Sequence, residues 1–379
     1  MANLNKSPAG TRRAEVAGAG FAGLTAAIAL RQKGWDVRLH ERSDELRAFG
    51  AGIYLWHNGL RVLEGLGVLN EVLQGSHTPP TYETWMHNKS VSKETFHGLP
   101  WRVMTRSHLH DALVNRAKAV GVDIRTKSEG VAADPEGRLT LASGEVLEAD
   151  LIVGADGVGS KVRDSIGFKQ DRWGSKDGII RLIVPRMKDK LGHGEWDNTI
   201  DMWNFWPRVQ RILYSPCNEN ELYLGLMAPS DDPRGSRVPL DLEVWVEMFP
   251  FLEPCLVEAA KLQNARYDRY ETTKLDSWRR GKVALVGDAA HAMCPALAQG
   301  AGCAIVNAFS LAQDVDAEGS IETALEAWES RIRPITDRCQ AISADYAANR
   351  ALSKGNMFTP AALEAARYDP LNRVFSWPQ

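Results

Sequence analysis

Apolar positions along this chain change period several times, and those changes mark out its elements. Ala14-Glu15-Val16-Ala17 reads as a short strand, and from Leu24 to Lys33 apolar residues recur at helical spacing. A second strand, Asp36 to His40, follows. Asn58 to Leu73 and Arg106 to Ala119 are helical in pattern, Val122 to Thr126 and Arg138 to Leu141 are strand candidates, and Leu151-Ile152-Val153-Gly154 reads as a buried parallel strand. Prolines and scattered aromatics fill Thr78 to Leu99. From Gly178 to Arg269 strands follow one another without helices: Ile179 to Val184, Thr199 to Phe205, Val209 to Tyr214 and Leu222 to Met227. Lys282 to Val286 restores the strand pattern, Cys303 to Asp314 predicts a helix, and a charged amphipathic stretch runs from Ile321 to Ala348. The order predicts an α/β protein: a Rossmann-like nucleotide-binding domain, an inserted antiparallel-sheet domain and C-terminal helices. The expected division is 1–77, 100–177 and 275–315 for the nucleotide part, 78–99 and 178–274 for the insert, and 316–379 for the helical end.

The turn after the first strand carries Gly18-Ala19-Gly20-Phe21-Ala22-Gly23. Gly18 allows the tight turn, Gly20 lets a pyrophosphate approach the backbone, and Gly23 lets helix and strand pack closely. The helix start offers free N–H groups and a positive dipole end. The second strand ends at Glu41-Arg42, where a carboxylate suits an unmodified adenosine ribose and disfavours a 2′-phosphate. Two later stretches, Gly154-Ala155-Asp156-Gly157 and Gly287-Asp288-Ala289-Ala290-His291, have no role in a simple NAD-dependent dehydrogenase; together the three point to bound FAD. Taken singly, Asp156 could cap a helix and Asp288 could be a turn acid, while His291 is read as structural.

Composition narrows the class. A hydrophobic share of 44% is ordinary for a globular protein, and a net charge of −3 gives no support to binding nucleic acid or an anionic membrane. The five cysteines form no CxxC pair and no zinc spacing, so no metal site is expected and a reducing compartment is favoured. Arg12-Arg13 before an apolar run suggests an export signal, but Glu15, Arg31 and Lys33 break that pattern. With no stretch of membrane-spanning length, a cytoplasmic protein is expected. Trp196, Trp203 and Trp206 cluster, with core packing the preferred reading over an aromatic wall around a flat ligand.

From Val16 to the helix after Gly302 the chain resembles the para-hydroxybenzoate hydroxylase family of flavin aromatic hydroxylases, whose three signatures occur here in order. The resemblance implies FAD held by the fingerprint, with Asp156 and Gly157 near the pyrophosphate and Arg163 ending the middle motif. It implies Asp288 on the ribityl chain, and Pro295 with the loop through Ala298, Ala301 and Gly302 against the isoalloxazine. Arg47 and Arg106 fall on basic positions that contact FAD. The late motif departs from the family pattern, with Gly302 where an Asn is usual and Asn307 where an Asp is common. The implied reaction uses NADH or NADPH as a transient co-substrate and O2 to oxygenate an electron-rich ring. The implied substrate is a small anionic hydroxylated aromatic, with 3-hydroxy-2-methylpyridine-5-carboxylate of vitamin B6 breakdown and cleavage of its ring as the sharpest expectation.

The inserted sheet supplies the candidate substrate wall. Alternation puts Arg211 with Val209 and Leu213, Tyr223 with Gly225, and Arg181 between Ile179 and Ile183. A guanidinium on an apolar face needs an anion, so Arg181 and Arg211 are candidates for a substrate carboxylate, with Tyr223 and Tyr82 as hydrogen-bonding partners. The alternative is that the arginines pair with protein acids. No residue is assigned as a general base. Rival readings are a flavin reductase acting on polyprenyl groups and a non-catalytic prenyl-binding escort; a homo-oligomer is compatible with either.

Overall fold

A computed structural model describes residues 11–46, 51–316, 319–349 and 358–375. Arg47 lies outside the described residues, so its expected flavin contact receives no structural account. The core of the nucleotide-binding part is a six-stranded sheet ordered Arg279–Arg280, Val283–Leu285, Leu151–Gly154, Arg13–Ala17, Asp36–His40 and Asp123–Arg125. All its pairings are parallel except the first. The three signature stretches leave this sheet at the carboxyl ends of neighbouring strands, the edge at which open α/β sheets bind ligands.

The first helix is Phe21–Gln32, not Leu24 to Lys33 as the apolar spacing suggests. Its first turn closes because Leu24 N–H donates to the Gly20 carbonyl at 2.9 Å, so Gly23 lies inside the helix. The predicted helix from Asn58 to Leu73 is two, His57–Leu66 and Leu69–Gln74. They are separated where Gly67 takes φ +77°, a left-handed helix end that glycine adopts without strain.

The second large sheet has seven strands in the order Tyr267–Leu275, Gln170–Pro185, Glu221–Pro229, Gln210–Pro216, Thr199–Asn204, Tyr82–Met86 and Lys89–Glu94. It is antiparallel except where Thr199–Asn204 runs parallel to Tyr82–Met86. The strand Gln170–Pro185 is 16 residues long and starts well before the predicted Ile179. Its first half is polar and exposed, which hides it from apolar periodicity. The strand Tyr267–Leu275 escaped for the same reason, being interrupted by Asp268, Arg269, Glu271 and Lys274.

One face of this sheet is sealed by Leu242–Met248 and Glu253–Ala260, whose Trp245 and Leu256, with Phe249 just after the first, pack with Ile180, Ile200, Met202 and Ile212 in one buried cluster. Trp196 belongs to that core. Trp206 is 80% exposed, and Trp203 stands on the opposite face, so the three do not share one packing role. That opposite face turns toward the nucleotide-binding part. Gly52 marks the close approach: a Cβ there would sit 2.5 Å from the Tyr223 side chain. The helix Ile321–Asn349 runs on behind the last signature. Among the described residues no helix is long and apolar enough to cross a membrane, and no His, Cys, Asp and Glu cluster could hold a metal.

Candidate active site

Between the two sheets lies a cavity of about 810 Å³, in the roughly 300–1,000 Å³ range of ligand and cofactor sites. Gly18, Gly20, Phe21, Glu41, Arg42, Arg106, Asp156, Gly157, Asp288 and Pro295 all border it. Gly18 has φ +103°, and a Cβ would fall 2.4 Å from the Ala155 carbonyl oxygen; one on Gly23 would fall 1.8 Å from the Gly18 oxygen. Gly20 has nothing within 4 Å of its would-be Cβ. The backbone is therefore packed hard behind the turn and open in front of it, at the end of a helix with no side-chain cap. That leaves N–H groups free for a pyrophosphate.

The Glu41 carboxylate is oriented by the Ala19 N–H at 3.1 Å and the Ser43 N–H at 2.9 Å. Asp156 accepts from the Ser160 hydroxyl at 2.5 Å and the Val162 N–H at 3.2 Å, so it caps the helix Lys161–Ile166 while bordering the cavity. Burial raises its pKa. Arg163 has no exposed surface and donates to the Val158 and Ala289 carbonyls at 3.1 and 3.3 Å. It fastens the middle signature to the late one rather than reaching a ligand.

Asp288 is exposed where it opens onto the cavity, and the protein around the cavity desolvates its carboxylate and raises its pKa against the pull of Arg106 and Arg181. Arg106 lies 4.8 Å over the Phe21 ring. Ala22, Gly23, Ala298, Ala301 and Gly302 lie behind the lining. Ala298, at φ +52°, accepts from the Trp56 indole N–H at 3.2 Å, and Gly302 packs against Asn58. Gln299 Oε1 is buried without a partner, and the helix Gly300–Asp314 begins without a side-chain cap. The donors and open space fit a flavin dinucleotide: free N–H groups at Gly20, carboxylates at Glu41 and Asp288, and apolar Pro295 and Met293 beyond.

Arg211 and Arg181 stand on the sheet face turned to this cavity, yet neither is the lone cation that alternation suggested. Arg211 binds Asp201 through Nε at 2.6 Å and Nη2 at 2.9 Å, and Arg181 meets Asp268 at 3.2 Å. The anion that the apolar face demands is, in both cases, a protein carboxylate. Asp201 also accepts from the Tyr82 hydroxyl at 3.1 Å. Burial opposes the charge on Arg211, but the Asp201 carboxylate outweighs it and raises its pKa. Tyr82 packs edge-on against Phe358, 4.8 Å between centroids. Of the four expected substrate residues only Arg181 borders the large cavity; Arg211 borders a smaller space beside it.

Burial raises the pKa of Tyr54, Tyr82, Tyr223 and Tyr270. These tyrosines stay protonated at neutral pH and can donate hydrogen bonds but not take up a proton. His291 is buried against Trp278, 5.0 Å between centroids, and burial lowers its pKa to about 4. It is a neutral packing group.

Asp201, Tyr270 and Cys294 received no site role in the sequence reading, and Trp203 only as the less favoured aromatic wall. Asp201 and Trp203 follow from the alternation that found Arg211, once the strands are set in register. Tyr270 sits on the polar strand that escaped detection, and Cys294 on an irregular segment with no periodicity.

Fold and site together define an FAD-dependent aromatic-ring monooxygenase that uses NAD(P)H and O2, and the chain belongs to the family described as FAD binding domain, which it matches over residues 13–336. Its structure is similar to the tetrameric form of 2-methyl-3-hydroxypyridine-5-carboxylic acid oxygenase, with TM-score 0.96 and 87% sequence identity, covering 98% of this chain and 100% of that one. It is 35% identical over 336 residues to a 2-heptyl-3-hydroxy-4(1H)-quinolone synthase of Mycobacteroides abscessus, covering 87% of this chain and 88% of that protein. To a 3-amino-4-hydroxybenzoate 2-monooxygenase of Streptomyces cremeus it is 31% identical over 345 residues, covering 86% and 84%.

Proposed function

We propose that this enzyme oxygenates 3-hydroxy-2-methylpyridine-5-carboxylate and opens its ring. The observation that carries the reading is a cofactor cavity facing the sheet that carries Arg181 and Arg211, in a chain 87% identical to an oxygenase of that acid. FAD, when bound, supplies the redox chemistry by which NAD(P)H and O2 deliver oxygen to the ring. Gly18, Gly20, Phe21, Glu41 and Arg42 would hold its dinucleotide end, with Ala22 and Gly23 packed behind them. Asp156, Gly157, Arg106 and Asp288 hold its middle, and Pro295 to Gly302 its ring.

Arg211 is the carboxylate partner. Asp201 occupies Nε and one hydrogen of Nη2, leaving further N–H groups to donate. Tyr82 acts through Asp201, which it helps to fix. Tyr223 donates its hydroxyl to a ring substituent, and Arg181 adds positive potential. Because the buried tyrosines stay protonated, the substrate hydroxyl loses its proton to water and no side chain is assigned as base. The enzyme is a cytoplasmic homo-oligomer in this reading, supported by five buried free cysteines and by the tetrameric form of the similar oxygenase.

The test is anaerobic reduction by NADH, followed at the flavin absorbance band with and without the pyridine carboxylate. Strong acceleration by the acid is expected. Reduction indifferent to it would remove this substrate while leaving the flavoenzyme intact.

A further inference from the structure

At the tip of the glycine turn, Ala19 is held from outside on both its backbone groups. Its N–H donates to the Glu41 carboxylate at 3.1 Å, and its carbonyl accepts from the His110 ring at Nε2, 2.9 Å away. A carbonyl oxygen only accepts, so Nε2 is the nitrogen that carries the proton. His110 is 3% exposed and borders the cofactor cavity. It lies in the helix Arg106–Ala119, four residues after Arg106, so the two share a face. Both meet the same neighbour of the turn: the Arg106 guanidinium lies 4.8 Å over the Phe21 ring, and the His110 ring stands edge-on to it at 6.2 Å between centroids.

Two observations single out the bond from His110. The peptide joining Ala19 to Gly20 is planar and trans, so the Ala19 oxygen and the Gly20 N–H point to opposite sides. Gly20 takes φ −76°, a value open to any residue, and a Cβ there would meet nothing within 4 Å. Its glycine freedom is unused in this conformation, and that freedom lets the peptide plane rotate at little steric cost. A half-turn of the plane would put the Ala19 oxygen where the N–H now points, and an oxygen repels a phosphate that an N–H attracts. The second observation is that Nδ1 of His110 is buried with no partner among the described residues. An unpaired buried polar atom costs stability and calls for an explanation. A phenyl or isobutyl side chain would fill the same place without that cost, so what the imidazole adds is its one bond to the Ala19 oxygen.

We infer that His110 is a positioning residue for the cofactor: by holding the Ala19 carbonyl it keeps the Gly20 N–H turned to the cavity and to the pyrophosphate of FAD. With Glu41 on the Ala19 N–H, the peptide planes on either side of Ala19 are both fixed from neighbouring elements. The inference rests on the FAD site and not on the identity of the aromatic substrate, and its test needs no aromatic ligand.

His110→Phe keeps a ring beside Phe21 and removes the donor, while His110→Gln sets an amide N–H near the place of Nε2. Diluting each FAD-loaded enzyme and following flavin release by fluorescence gives the Kd of FAD, and phosphorus NMR of the same loaded enzymes reads the pyrophosphate directly. His110→Phe should raise that Kd about fivefold, the worth of one ordinary hydrogen bond, and should move the phosphorus resonances. His110→Gln should bring both readings back toward wild type. A Kd within about twofold of wild type in His110→Phe, less than the weakest ordinary hydrogen bond provides, would overturn the inference. A raised Kd with unmoved phosphorus resonances would make His110 a packing residue only, and equal losses in the two variants would show that its N–H does not matter. Should His110→Phe fail to fold, the same readings on His110→Leu decide between these outcomes.

Discussion

Replacing Asp201 by alanine removes the carboxylate that Arg211 holds with two N–H groups and that Tyr82 holds with a third hydrogen bond. Asp201 has no exposed side-chain surface and that of Arg211 is 13% exposed, so little bulk solvent is at hand to replace it. Breaking a buried pair by removing one partner costs about 3–5 kcal/mol, because the other charge stays behind unpaired. Arg211 borders the smaller space beside the cofactor cavity, where water can reach it; the lower end, about 3 kcal/mol, is therefore expected. Equilibrium urea unfolding of the FAD-loaded protein is the assay, since thermal unfolding of a chain this large is prone to irreversibility. Formate fits the space a carboxyl group leaves and should recover part of the loss, whereas chloride at equal ionic strength should not. Asp201→Asn keeps an acceptor without the charge and should lie between. A variant within about 0.5 kcal/mol of wild type, the range of an ordinary surface change, would refute the view that Arg211 depends on Asp201.

Gly23→Ala places a methyl 1.8 Å from the Gly18 oxygen and must displace the helix start; flavin retained through gel filtration should drop sharply, and full retention would show that the turn can yield. Asp288→Ala should also lose flavin while leaving the fold intact by circular dichroism, and a fully flavinated variant would count against its ribityl role. His291, lowered from 6.5 to about 4 by burial, is neutral in the fold but takes a proton in the unfolded chain. Stability is full above pH 6.5 and falls by up to about 3 kcal/mol as pH drops toward 4. His291→Phe should flatten the dependence of the urea midpoint on pH in that window, and an unchanged slope would remove His291 as its source.

The nucleotide half was legible because its signals are local. Gly18, Gly20, Gly23 and Glu41 lie within two dozen residues, and the strand Leu151–Gly154 is four apolar residues in a row. Boundaries slipped where a helix opens on glycines, as at Phe21, since apolar spacing cannot begin until Leu24. The substrate half was legible strand by strand but not in its pairings. Arg211 was found on the right face, yet Asp201, ten residues earlier, could be seen as its partner only after Trp203 was set opposite Arg211. Tyr270 was out of reach because Tyr267–Leu275 is an outer strand of polar sequence. Cys294 lies where no period exists to read.

The parallel pairing of Tyr82–Met86 with Thr199–Asn204 bears on how this enzyme could be recombined with its relatives. A chimera that transplanted only residues 170–275 would carry five of the seven strands and leave the sixth and seventh in the recipient. Thr199–Asn204 would then have to pair with the recipient's own hairpin, and where the two did not match, Ile200, Met202 and Trp203 would stand along unpaired backbone that invites pairing with other chains. Tyr82 would be missing as well, and Asp201 with it would lose one of its donors. The seven-stranded sheet is not a cassette: it can be exchanged only together with the hairpin at 82–94, which the chain completes more than a hundred residues before it reaches the strand that hairpin must flank.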